Sequence, residues 1–142
     1  MYERILLPYD GSMHARRAID AVLKLCEGQE EQCRVTVMYV LEPYTPPPEA
    51  AFLDVDWNAQ AERSGQTIVA DALAALRERG VKAEALVAVG NPAQEIVQTA
   101  KHGDYELIVI GRRGLGTFGE LVLGSVSHKV LHLAPCPVLV VR

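Results

Sequence analysis

Short apolar runs alternate with amphipathic stretches along this chain, and that alternation constrains the fold more than any other feature. The apolar runs are Arg4 to Leu7, Val35 to Val40, Lys82 to Val89, Glu106 to Ile110 and Val138 to Val141. Consecutive strands that run parallel need a crossover of a dozen or more residues, usually a helix. Strands separated throughout by helices therefore predict an α/β fold: one open, mostly parallel sheet covered on both faces. Lys82 to Val89 alternates polar and apolar at its start, as an edge strand does, whereas Glu106 to Ile110 reads as fully buried.

The helices carry their own start and stop signals. Ser12 can cap a helix whose apolar face is Ala15, Ala18, Ile19, Val22 and Cys26, at helical spacing. Pro43, Pro46, Pro47 and Pro48 block regular structure, which makes residues 43–54 a surface loop. A long helix is expected from Asp56 to Arg79, ended by Gly80, with Asp54 and Asp56 as its capping candidates and Trp57 packed in its first turn. Asn91-Pro92 with Gln94 three residues on is a strong start for a helix that ends at Gly103. Ser125 to Leu133 is the last helix, stopped by Pro135. No repeat or low-complexity tract interrupts this order, and residues 1–142 read as a single domain.

Charge and apolar content exclude several classes of function. The net charge of −4 argues against a general affinity for nucleic acid, which needs a basic footprint. No apolar run approaches the roughly 20 residues of a membrane span. The first residues lead straight into a strand, not a signal peptide, so a cytoplasmic location is expected. Cys26, Cys33 and Cys136 are odd in number and lack CxxC spacing, which fits reduced thiols.

The segment GRRGLGTFGELVLGS, residues 111–125, holds five of the chain's eleven glycines and follows the buried fourth run. The P-loop pattern is absent. Gly114, Gly116 and Gly119 spell GxGxxG, but that fingerprint belongs after the first strand of its unit, with a carboxylate about twenty positions on. Here that position falls at Leu139, with no carboxylate near, and the dinucleotide reading fails. The pattern that remains is Gly111-x2-Gly114-x9-Gly124-Ser125. Its first half turns off a strand end and presents backbone N–H groups. Its second half opens a helix, whose free N–H groups and dipole favour an anion. The alternative is that the glycines serve only a tight loop and close helix packing.

Pro8-Tyr9-Asp10-Gly11-Ser12 closes the first strand. In open parallel sheets, ligands sit beyond the carboxyl ends of strands where strand order reverses. If the first and fourth strands are neighbours, Asp10 and Gly111 line one crevice. Asp10 could then hold a ribose hydroxyl or a phosphate-bound Mg²⁺, or it could serve only the Asp-Gly-Ser turn.

Taken together, Ile5-Leu6-Leu7-Pro8-Tyr9-Asp10-Gly11-Ser12, the G-x2-G-x9-G-S segment with Val126-Ser127, and Pro135-Cys136-Pro137-Val138-Leu139-Val140-Val141 resemble the universal stress protein family. The resemblance covers the full chain. It implies a five-stranded Rossmann-like sheet of order 3-2-1-4-5, usually in a homodimer. Members with the glycine motif intact bind ATP, and this chain is similar to that branch. By matching position, Pro8 and Asp10 border the nucleotide and the backbone of Val40 meets the adenine. Gly111, Arg112, Gly114, Gly124, Ser125, Val126 and Ser127 wrap ribose and phosphates. Asp10 is the candidate ligand for Mg²⁺ carried by the ATP. Arg112 and Arg113 stand where relatives are often small or polar; either reaches a phosphate or both are loop charges.

Other candidates carry less. His128 and His132 stand four apart, but HKVLH lacks the glutamate of a zinc hydrolase site and reads as an exposed helix face. No Ser, Cys or Thr has a base at a diagnostic spacing. The apolar last strand invites pairing with a second copy, two such strands lying antiparallel across a two-fold axis. The favoured reading is a regulatory module that binds ATP, with loop 43–54 as a candidate lid, and signals to an unidentified protein partner. The rivals are a slow ATPase or phosphotransfer enzyme and a nucleotide-free dimerisation module.

Overall fold

The computed structural model describes residues 2–43, 45–53, 55–113 and 123–142. Strands and helices alternate as β1 (Arg4–Pro8), α1 (Met13–Cys26), β2 (Arg34–Leu41), α2 (Trp57–Glu78), β3 (Lys82–Val89), α3 (Pro92–His102), β4 (Leu107–Gly111), α4 (Ser125–Leu133) and β5 (Val138–Val141). All neighbouring strands pair in parallel, in the order β3-β2-β1-β4-β5. β1 and β4 are thus central neighbours, and strand order reverses between them.

Side-chain alternation divides the interior into two cores. Ile5 and Leu7 of β1 and Leu107 and Val109 of β4 face a cluster with Ala15, Ala18 and Val22 of α1 and Val69, Ala72 and Leu76 of α2. Leu6, Ile108 and Ile110 face the other side, with Met38, with Ala93 and Ile96 of α3 and with Val130 of α4. Each fully buried Leu, Ile or Val in these layers contributes about 1.5–3 kcal/mol. Every residue of β4 is buried, whereas the edge strand β3 alternates exposed and half-buried positions. β5 forms the opposite edge, with Leu139 39% exposed.

Local signals set the helix starts. Ser12 Oγ accepts from Ala15 N at 3.2 Å, Asp56 from Ala59 N at 3.1 Å and Asn91 from Gln94 N at 3.1 Å. The predicted face of α1 is the buried one, residue for residue. Cys26 and Cys33 are fully buried, Cys136 is half-buried, and all three are free thiols. The proline-rich segment departs from expectation. Pro48–Ala50 form one 3₁₀ turn, because proline suits the first positions of such a turn, where no backbone donor is needed. Trp57 is half-buried, and Asp54 lies outside the described residues. Among the described residues no helix is long and apolar enough to cross a membrane.

Candidate functional site

A cleft of about 310 Å³ opens at the carboxyl ends of the central strands. Pro8 and Asp10 line it from the end of β1, Met38, Tyr39 and Val40 from β2, and Ile110, Gly111 and Arg113 from the end of β4. Pro92 and Ile96 close it from α3, and Gly124, Ser125, Val126 and Ser127 from the start of α4. This is the reversal point of the sheet, where the topology leaves a gap between diverging connections.

The β2 side offers a free backbone edge. Pairing between β1 and β2 ends at Pro8 and Met38, with one further bond from Tyr9 N to Met38 O at 2.8 Å. β2 continues to Leu41 alongside β3. Backbone groups alternate sides along a strand, and Leu41 O turns to the β3 side, where it accepts from Gly90 N. Val40 therefore turns its N–H and C=O toward the side where β1 has ended. A donor and an acceptor face the cleft together there.

The opposite wall is a helix start. Among α1 to α4 only α4 lacks a side-chain cap, since its cap residue is Gly124. The first bond across its opening turn runs from His128 N to Gly124 O at 2.9 Å. The N–H groups of Ser125, Val126 and Ser127 thus lie in the turn where a helix has no internal acceptors, at its positive end. Ser125 is exposed.

A short network fixes this wall to the sheet. Arg112 N donates to Val141 O at 2.6 Å, Gly124 N donates to Arg112 O at 2.9 Å, and Ser127 Oγ donates to the same carbonyl at 2.7 Å. Ser127 is 2% exposed. Its hydroxyl lines the cleft, but its hydrogen is already engaged in this network. Arg112 does not line the cleft; Arg113 does, and it is the only Lys or Arg among the described lining residues. Arg113 Nε is shielded from solvent and has no hydrogen-bond partner among the described residues. Gly114 lies outside the described residues.

Gly111 meets the helix behind it. A Cβ at this position would stand 2.7 Å from His14 C and 2.8 Å from Ala15 N, both backbone atoms of α1. Its missing side chain is a packing requirement whatever the cleft holds. Asp10 serves the turn, where its Oδ1 accepts from Ser12 N at 2.9 Å, and the residue also lines the cleft. The His14 imidazole lies among these groups. Burial and the Arg113, Arg17 and Arg112 cations hold its pKa below the ordinary histidine value, with Asp10 opposing them.

Among the described residues no three His, Cys, Asp or Glu side chains gather to hold a metal ion. The His128 and His132 rings lie 4.5 Å apart, edge to face, on the exposed side of α4. No described residue of loop 43–54 lines the cleft; its nearest contributor is Glu42. Tyr39, Met38, Glu42 and Ile96 were not singled out from sequence. Only their positions at the strand end and the first turns of a helix could have indicated them.

Comparison with known proteins gives a consistent result. Residues 1–142 match the model of the universal stress protein family. The chain is 42% identical over 143 residues to a universal stress protein of Thermus aquaticus encoded in the QAH/OAS sulfhydrylase 3′ region, with all of both chains covered. Its fold superposes on the solved structure of hypothetical protein MJ0577 with a TM-score of 0.85 at 26% identity, covering 99% of this chain and 96% of that one. A universal stress protein solved in complex with cAMP has the same fold, with a TM-score of 0.75 at 22% identity, covering 99% and 97%.

Proposed function

Since the chain belongs to the universal stress protein family, we propose that it binds ATP with Mg²⁺ in this cleft and acts as a regulatory module rather than as an efficient hydrolase. One observation carries the reading. The uncapped start of α4 and Arg113, whose Nε is buried without a partner among the described residues, line the same cleft as Asp10 and Val40 with its free backbone edge. A helix N-terminus and a cation suit phosphates; a paired N–H and C=O suit the donor and acceptor on one edge of adenine. A cyclic adenine nucleotide in a protein of this fold supports the same ligand class.

In this reading Val40 meets the base, and Pro8 and Asp10 border the ribose. The backbones of Gly124, Ser125 and Val126 hold phosphates with Arg113, which takes the place expected of Arg112. Ser127 serves by fixing the Arg112 carbonyl. The cleft suits Mg²⁺ as a passenger of the nucleotide: Asp10 lines it and would supply one carboxylate, and Mg²⁺ is commonly held by one or two carboxylates plus phosphate oxygens. The ion would neutralise phosphate charge there. Two copies would pair through β5, and the dimer or loop surface would report occupancy to a partner protein.

The test is calorimetric titration of nucleotide-stripped protein with ATP and Mg²⁺, with GTP and a Gly124→Val variant as controls. A Cβ at 124 would stand 3.3 Å from Arg113 Cα, so the branched valine crowds the phosphate wall. ATP binding that weakens with GTP and is lost in the variant is the expected result. A folded, stripped protein that takes up no ATP refutes the proposal and leaves the dimerisation module.

A further inference from the structure

Tyr39 sits beside Val40 at the end of β2 and lines the cleft. Its ring is half-buried, at the margin of the first core cluster. What seats the ring is a missing side chain on α2. Position 65, buried in the middle of that helix, is glycine, the poorest helix former after proline. A Cβ there would stand 2.6 Å from Tyr39 Cδ1 and 3.0 Å from Cε1, and 3.3 Å from Val87 Cγ1. The Cδ1–Cε1 edge of the ring therefore lies against the helix at a distance only glycine permits. Among the described residues no hydrogen bond engages the phenol hydroxyl, and the close approach to α2 is what seats the ring.

We infer that Tyr39 is a specificity-determining residue of the cleft, an aromatic wall for the base of the bound nucleotide, and that Gly65 is the positioning residue that seats it. The inference rests on the nucleotide reading above. An aromatic face recognises a planar ring and is indifferent to phosphate. Its loss therefore acts on the base-dependent part of affinity alone. A tyrosine that merely fills the core margin would affect stability without that distinction.

The experiment measures binding of Mg·ATP and of inorganic tripolyphosphate to the parent chain and to Tyr39→Leu, Tyr39→Phe and Gly65→Ala. Tyr39→Leu is expected to weaken ATP about tenfold, the scale of one base–aromatic stack, and to leave tripolyphosphate unchanged. Tyr39→Phe keeps the ring and keeps the affinity. Gly65→Ala drives the ring off its seat and weakens ATP. The double variant Gly65→Ala/Tyr39→Leu is no weaker than Tyr39→Leu, because the added methyl then has room. Tyr39→Leu alone decides the matter should Gly65→Ala fail to fold. Parent-like ATP affinity in Tyr39→Leu, or an equal loss of tripolyphosphate, overturns the inference and leaves nucleotide binding standing. A parent chain that binds no ATP refutes the nucleotide reading itself and takes this inference with it.

Discussion

Replacing Gly111 by alanine separates the packing role of the glycine motif from the ligand role proposed for it. The new Cβ would meet His14 C at 2.7 Å, Ala15 N at 2.8 Å and His14 O at 2.9 Å. Carbon contacts settle near 3.5–4.0 Å, so the shortfall is roughly 0.7 Å or more. All three atoms are backbone in the first turn of α1, so no side-chain rotation relieves them. Either α1 lifts from β4, or the end of β4 bends away from β5. Overpacking of this kind costs about 1–3 kcal/mol, and a purely backbone clash belongs in the upper part, about 2–3 kcal/mol. At about 2.1 cal/mol/K of unfolding entropy per residue, a chain of 142 residues loses about 7–10 °C of Tm. Urea unfolding should show a lower midpoint at unchanged slope. Gly124→Ala is the control: its Cβ would lie 3.3 Å from Arg113 Cα and 3.4 Å from Arg112 O, and its cost should stay below about 1 kcal/mol. A Gly111→Ala chain as stable as its parent would refute the packing argument and return this glycine to the ligand.

Further predictions follow from the buried polar groups and the sheet edge. Tyr105 donates to Thr36 Oγ1 at 2.6 Å while Arg4 lies 4.8 Å over its ring; Tyr105→Phe keeps the ring and should lose about 0.5–1.5 kcal/mol, and an unchanged urea midpoint would refute this. The folded state holds the His14 pKa below 6.5, so the unfolded chain binds more protons there and stability should fall as pH drops below that value. In His14→Gln that fall should be smaller; equal pH slopes in the two proteins contradict the assignment. If copies pair through β5, sedimentation at micromolar concentration should find a dimer, and Leu139→Lys, at an exposed edge position, should yield monomers. A monomeric parent, or a dimeric variant, removes that interface.

Much of this fold is legible because its signals are local. Ser12, Asp56 and Asn91 announce their helices by side-chain chemistry that acts within three residues, and each is found capping. The buried face of α1 is legible from spacing alone. Strand order is different. Periodicity shows that strands are parallel but not which are neighbours, and the order came through family resemblance. The cleft is partly legible for the same reason: Asp10 and Gly111 converge only once β1 and β4 are adjacent. Whether Arg112 or Arg113 lines it depends on the bond from Arg112 N to Val141 O, a contact across 29 residues of chain that no pattern encodes. Tyr39 was hidden because, in a run of apolar strand residues, an aromatic reads as core.

The glycine motif reads as one signal, yet it answers two physical demands. Gly111 is fixed by the backbone of α1, an intramolecular constraint present with or without a ligand. Gly124 meets a looser wall: a Cβ there would stand 3.3 Å from Arg113 Cα and 3.4 Å from Arg112 O. Its nearest would-be neighbours belong to the turn that bears Arg113, and it leaves the α4 start without a side-chain cap. Ser, Asn or Asp at 124 would cap α4 and stabilise it by a few tenths of a kcal/mol, and the same side chain would occupy the donors that a phosphate needs. A glycine here therefore forgoes a favourable cap and keeps those donors open. On the nucleotide reading, position 124 rather than 111 is where a substitution tells ligand binding apart from packing. A Gly124→Asp chain should fold at least as stably as its parent and bind ATP far more weakly, because the carboxylate caps the helix and repels the phosphates at once. Undiminished ATP affinity in that variant would place the phosphates elsewhere.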